Sequence, residues 1–283
     1  MYKTIVVHID GGAERGSRLR AAAWLANEHG AHLVGCAATG VTWLDYALLT
    51  GSIGAPIPDP HTDFEGLRVA AECRLEVFQR EAARLGVASF EAQRIDDHAR
   101  YALLLESRYA DLVVLSRDLA VPDEPTLSGR VRHLPEHIAL DGARPVLVVP
   151  PAYDDARIAD VVVAGWDGSM QALRAIAGAL PLLQRATDVK LALINPDELS
   201  ELHGEQPGAD MALYLARHGI HVDVVLERTG STAADALVAL ARDCGAGLMV
   251  AGAYGHSRYR EWVLGGATRE LLERVHVPLL IAH

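Results

Sequence analysis

Short apolar runs alternate along the chain with alanine-rich stretches whose apolar residues recur every three to four positions. TIVVHID (Thr4–Asp10) precedes the helical pattern RLRAAAWLANEHG, and later come the runs ADLVVLS and RPVLVVP. After residue 160 the runs are VVVAGW, VKLALI, HVDVVLE, LMVAG and PLLIA. Between them lie SMQALRAIAGALPLL, MALYLARHG, AADALVALARDCG and TRELLERV. The first set has the length and β-branched content of strands, and the second has helical spacing. Strands apolar on both faces, each followed by a helix, predict a parallel sheet covered on both sides. Right-handed crossovers then wind the sheet in two directions from its middle, and ligands of such sheets bind beyond the C-terminal strand ends where the winding reverses.

The pattern also repeats. Thr4–Gly11 (TIVVHIDG) resembles Val161–Gly168 (VVVAGWDG), Ala110–Ser116 resembles Ala246–Gly252, and Arg144–Pro150 resembles Val277–His283. We expect an α/β chain of two tandem doubly wound domains, residues 1–150 and 151–283. Each is a mainly parallel five-stranded sheet with helices on both faces. A linker is expected near Pro150–Asp155, where two prolines end a strand and polar residues follow. The offset between copies falls from 157 at Asp10/Asp167 to 136 at Ser116/Gly252, so the first copy carries 21 extra residues. Most of them fall in Thr39–Gly66, whose apolar residues (Trp43, Tyr46 and Phe64 among them) are too many for a freely solvated loop. Its glycines and prolines argue against one long helix. Following the second strand, it is expected to fold over the first-half strand ends, plugging a pocket there or lining it for an apolar ligand.

Composition narrows the partners. With 26 basic against 37 acidic side chains and a net charge of −11, shared by both halves, nucleic acid and anionic membrane are poor partners. No apolar run approaches the ~18 residues of a membrane span. The opening MYKTIVVHID lacks the zones of a secretory signal. The three scattered cysteines make neither a disulfide framework nor a zinc site, and a cytoplasmic location is expected. His133 and His137 stand at helical spacing but with Pro135 between them and no third ligand evident, so no metal site is assigned. Gly11–Ser17 superficially suggests a phosphate loop, yet lacks the lysine that chemistry needs. No serine, cysteine or carboxylate pair has triad spacing, so no catalytic residue is assigned.

The candidate chemistry lies beyond LMVAG of the second copy. Gly252 and Gly255 let the backbone turn tightly and approach a ligand. Gly265, Gly266 and Thr268 open the last helix, where free N–H groups and the helix dipole favour an anion. Two glycine turns around one intervening segment suit a polyphosphate better than a carboxylate. Simpler readings compete: turn and cap chemistry for the glycines, an Asx turn or helix cap for Asp167, and an exposed loop position for His256.

The Gly-x2-Gly-x9-Gly spacing, Asp167 closing the first strand of its copy and the terminal V-P-L-L-I strand resemble the universal stress protein family, over the whole chain as two tandem domains. The resemblance implies an adenine-nucleotide site, for ATP with or without Mg2+. Asp167 would lie by the adenosine, Gly252 and Gly255 at the first turn, and Gly265 and Gly266 at the phosphates, with His256 and Thr268 nearby. The family places Ser or Thr directly after the third glycine, where this chain has Gly266. In the first copy Ser116 replaces the first glycine, and Arg117–Pro125 brings acidic residues, so nucleotide binding is expected in the C-terminal domain only. The resemblance further implies a stress-response role and pairing of the two domains through their last strands, Val146–Val149 with Leu279–Ala282. We also expect a homodimer. The alternatives are a slow ATPase or nucleotidyl-transfer enzyme, with Arg258 and Arg260 as its basic groups, and an interaction protein that binds no nucleotide.

Overall fold

The computed structural model describes all residues except 13–14, 53–59, 118–132, 152, 154–157, 200–205 and 254–265. The chain divides into two compact units, Tyr2–Gly142 and Ala143–His283. Both are α/β, and together they form the two tandem doubly wound domains expected from the alternating pattern.

In the first unit the elements run β1 (Thr4–His8), α1 (Arg15–His29), β2 (His32–Ala38), α2 (Trp43–Ser52), α3 (Pro60–Arg84), β3 (Phe90–Ile95), α4 (Ala99–Ser107), β4 (Leu112–Ser116) and α5 (Leu134–Asp141). The strands lie parallel in the order β3-β2-β1-β4, so the winding reverses between β1 and β4. β1 and β4 are almost wholly buried, as their unbroken apolar runs require, whereas the edge strand β3 is half exposed. Phe78 of α3 packs against Gly35 of β2, where an added Cβ would stand 2.5 Å from the ring. That glycine is what lets α3 sit so close to the sheet.

The segment Thr39–Gly66 forms α2 and the start of α3, with 53–59 outside the described residues. Thr42 caps α2, accepting from Asp45 N at 3.0 Å and donating to the Asp45 carboxylate at 2.7 Å. Trp43, Tyr46 and Phe64 pack on one another with ring centroids 5.4–6.4 Å apart, and Phe64 is buried. These aromatics make a small core of their own.

The second unit begins with β5 (Val146–Val149). It continues with β6 (Val161–Gly165), α6 (Met170–Leu183), β7 (Asp188–Ile194), a short 3-10 turn (Pro196–Leu199), α7 (Ala209–Arg217), β8 (Asp223–Glu227), α8 (Ala233–Asp243), β9 (Leu248–Gly252), α9 (Gly266–Arg274) and β10 (Leu279–Ala282). The order is β5-β10-β9-β6-β7-β8, parallel throughout except that β5 runs antiparallel to β10. β5 closes the first copy by sequence but packs inside the second unit, with Leu279 opposite Val148 and Ile281 opposite Val146. Ser169 and Thr232 cap α6 and α8 by accepting the N–H three residues on.

Candidate functional site

The winding of the second unit reverses between β6 and β9, and Asp167 and Gly252 stand at these two strand ends. Beyond β6, Trp166 N still donates to Ala192 of β7 (2.8 Å), and the chain then turns at Gly168, whose φ of +79° suits glycine. Asp167 Oδ1 accepts from Ser169 N at 2.9 Å, so the carboxylate braces the turn that delivers Ser169 to its capping position. One carboxylate oxygen is therefore an Asx-turn acceptor, the simpler of the two roles expected for it.

Gly252 pairs with Ala282 at the end of β9. A Cβ on it would stand 2.5 Å from Ala172 N and 2.8 Å from the Gln171 carbonyl carbon. The backbone of β9 thus lies directly against the first turn of α6, and this glycine is fixed by packing as well as by any ligand. Gly255, His256 and Gly265 lie outside the described residues. Gly266 begins α9, with no described residue within 4 Å of an added Cβ, and Thr268 is buried two residues on. Thr232 donates to Glu270 at 2.8 Å, tying α9 to the start of α8. Among the expected residues, the structure places Asp167 and Gly252 at the reversal of winding and Gly266 and Thr268 in the first turn of α9.

Residues 159–283 match the universal stress protein family model. The second half of the chain belongs to the universal stress protein family. No curated protein matches the sequence. In fold, the whole chain is similar to a universal stress protein from Archaeoglobus fulgidus, with 16% identity over 99% of this chain and 95% of that one and a TM-score of 0.71. A functionally unknown protein from Pseudomonas aeruginosa is 15% identical over 99% of this chain and 92% of its own, with a TM-score of 0.59. A putative universal stress protein from the same species is 14% identical over 99% and 93%, with a TM-score of 0.58. The chain thus has the fold of a tandem two-domain universal stress protein.

The first universal-stress-like half treats its strand ends differently. Asp10 accepts from Gly12 N (3.0 Å), as Asp167 does from Ser169, but it is also gripped by Arg18 of α1 at 2.7 and 3.4 Å. The guanidinium holds the Asp10 carboxyl well below the usual carboxylate range against the opposing effect of burial. His8 lies 3.7 Å from Asp10, and burial lowers its pKa to about 4, so it is neutral at pH 7. Burial likewise pushes the Cys36 thiol up to about 12, so it packs as a small neutral hydrophobe. His133 pairs with Glu136 at 2.9 Å.

Three features escaped the sequence reading. Arg18 sits in an alanine-rich helix, and its Asp10 partner is eight residues away, a contact made only by the β1–α1 turn. Arg74 of α3 reaches the Ala38 carbonyl at the end of β2 (3.0 Å). Asn195 follows β7 with φ +48° and exchanges two hydrogen bonds with Thr229 (3.0 and 2.8 Å), joining the ends of β7 and β8. The Asn-Pro pair after an apolar run was a legible turn signal for the last of these.

Proposed function

We propose that the chain is a stress-response, regulatory protein that binds adenine nucleotide, ATP with or without Mg2+, through its second half alone. Asp167, Gly252 and Gly255 would border the nucleoside side, and His256, Gly265, Gly266 and Thr268 the phosphate side. The observation that carries this reading is the convergence, within a universal stress protein domain, of Asp167 and Gly252 at the reversal of winding. Ligands of doubly wound sheets collect at that place. The start of α9 adds N–H groups suited to an anion. In the first half Arg18 occupies the Asp10 carboxylate, and Ser116 takes the place of Gly252.

The test is calorimetry with ATP on the full chain and on Gly266→Glu. No described residue lies within 4 Å of a Cβ added at Gly266, and a carboxylate at a helix N-terminus does not weaken the helix. We expect one site per chain and about tenfold weaker binding in the variant, the scale of a ~1.4 kcal/mol like-charge repulsion, with no loss of thermal stability. No binding by wild type, or equal binding by both, refutes the proposal. Gly252→Val is a poor probe, because it would drive a side chain into the α6 backbone. The proposal extends to a homodimer, which light scattering at the 30.4 kDa monomer mass would refute.

A further inference from the structure

The strand ends of the first half gather polar groups that the nucleotide proposal does not use. Arg18 is only 2% exposed, and its Nε is enclosed without a hydrogen-bond partner although its terminal nitrogens hold Asp10. Arg74 gives one hydrogen bond to the Ala38 carbonyl, its Nε is enclosed and unpartnered, and no carboxylate among the described residues pairs with it. Ser116, 8% exposed, closes β4 with its Oγ enclosed and unpartnered. The β1–β4 register sets Val7 opposite Val114, which brings Ser116 level with Ile9, one residue before Asp10. These groups share one electrostatic neighbourhood: Asp10, Arg18 and Arg74 all act on His8, and Asp10 acts on Arg74.

Among the described residues Arg18 has one carboxylate partner, Asp10, and Arg74 has none, while Arg15 adds its positive charge to the surroundings of Arg74. A guanidinium can only donate, so its enclosed N–H groups need an acceptor, and leaving them without one is costly. The place lies across the ends of β2, β1 and β4, beside the reversal of winding where doubly wound sheets take ligands. We propose that the first half binds a small ligand through one oxyanion group, a carboxylate or a phosphate, with Arg74 and Ser116 donating to it. Arg18, anchored by Asp10, supplies positive charge behind them. Here side chains would hold the anion, whereas the nucleotide site of the second half relies on backbone donors. The two proposals stand separately.

The test is calorimetric titration of the dialysed full chain with inorganic phosphate and, separately, with acetate. One equivalent of either should bind, and the anion that binds identifies the source of the oxyanion. Arg74→Ala, at a half-exposed position, should weaken that binding about 10- to 100-fold, the scale of a charged hydrogen bond. Ser116→Ala should weaken it less, and Gly266→Glu in the second half should leave it unchanged. The proposal is overturned if neither anion binds, if Arg74→Ala binds as well as wild type, or if Gly266→Glu abolishes binding.

Discussion

Asp10 and Asp167 end equivalent strands and brace equivalent turns, yet the helix that follows each one treats it oppositely. Eight residues after Asp10 stands Arg18, buried and paired with it. Eight residues after Asp167 stands Ala175, fully buried and too small to reach a carboxylate. The same contrast holds at the neighbouring strand end, where β4 finishes in Ser116 and β9 in Gly252. One fold thus builds a strand end closed by an internal ion pair in one half and, in the other, a strand end that rests main chain against main chain. Homologous position does not carry homologous chemistry when a single residue on the next helix decides which charge is already satisfied.

The largest expected break in this symmetry is with pH. The native pKa of His8 is lowered to about 4, so below pH 6.5 the unfolded chain takes up a proton that the native state refuses. Stability should fall as pH drops from about 6.5 to 4, by up to about 3 kcal/mol, and Asp10, whose pKa is also depressed, extends the loss to lower pH. Denaturant unfolding across that range should show the slope, and His8→Leu should flatten it between pH 6.5 and 4. A second break comes from Arg18→Ala, which strands the Asp10 charge. We expect a loss of about 2–3 kcal/mol, below the ~3–5 of a fully enclosed pair because a third of Asp10 still meets solvent. Thermal denaturation at pH 7 measures it, and Asp10→Asn in the same background should recover part of it.

The strand-end contrast is sharpened by exchanging the residues. Gly252→Ser should destabilise by about 1–3 kcal/mol through the clash with Ala172. Ser116→Ala should be neutral or slightly stabilising, since it removes an enclosed hydroxyl without a partner. Equal effects in the two variants would erase the distinction. The smallest change is Ser169→Ala, which removes the cap of α6 for about 1 kcal/mol and should be read in urea unfolding.

The doubly wound class was legible because the strands of both copies are apolar on both faces and punctuated by Asp-Gly, Gly or Pro. α6 and α8 were legible from their helical spacing, but their Ser169 and Thr232 caps were not, the cap having been looked for at Asp167. Of the candidate site, the sequence pattern indicated where Gly252 and Gly266 lie, at the end of β9 and the start of α9. Arg18 and Arg74 were not legible, because each acquires its role from a partner on another element that the spacing along the chain does not indicate. In Thr39–Gly66, expected to be too apolar for a free loop, the described residues form α2 and the start of α3. Its mutual Trp43–Tyr46–Phe64 packing depends on how α2 and α3 lie together, which composition does not specify.

The contact of Gly252 with Ala172 has a mechanical consequence. Side chains between a strand and a helix act as springs, changing rotamer to absorb a displacement. Here Gly252 at the end of β9 meets the first turn of α6 with no side chain of its own between them, so a displacement of the strand end passes to that turn with no rotamer to absorb it.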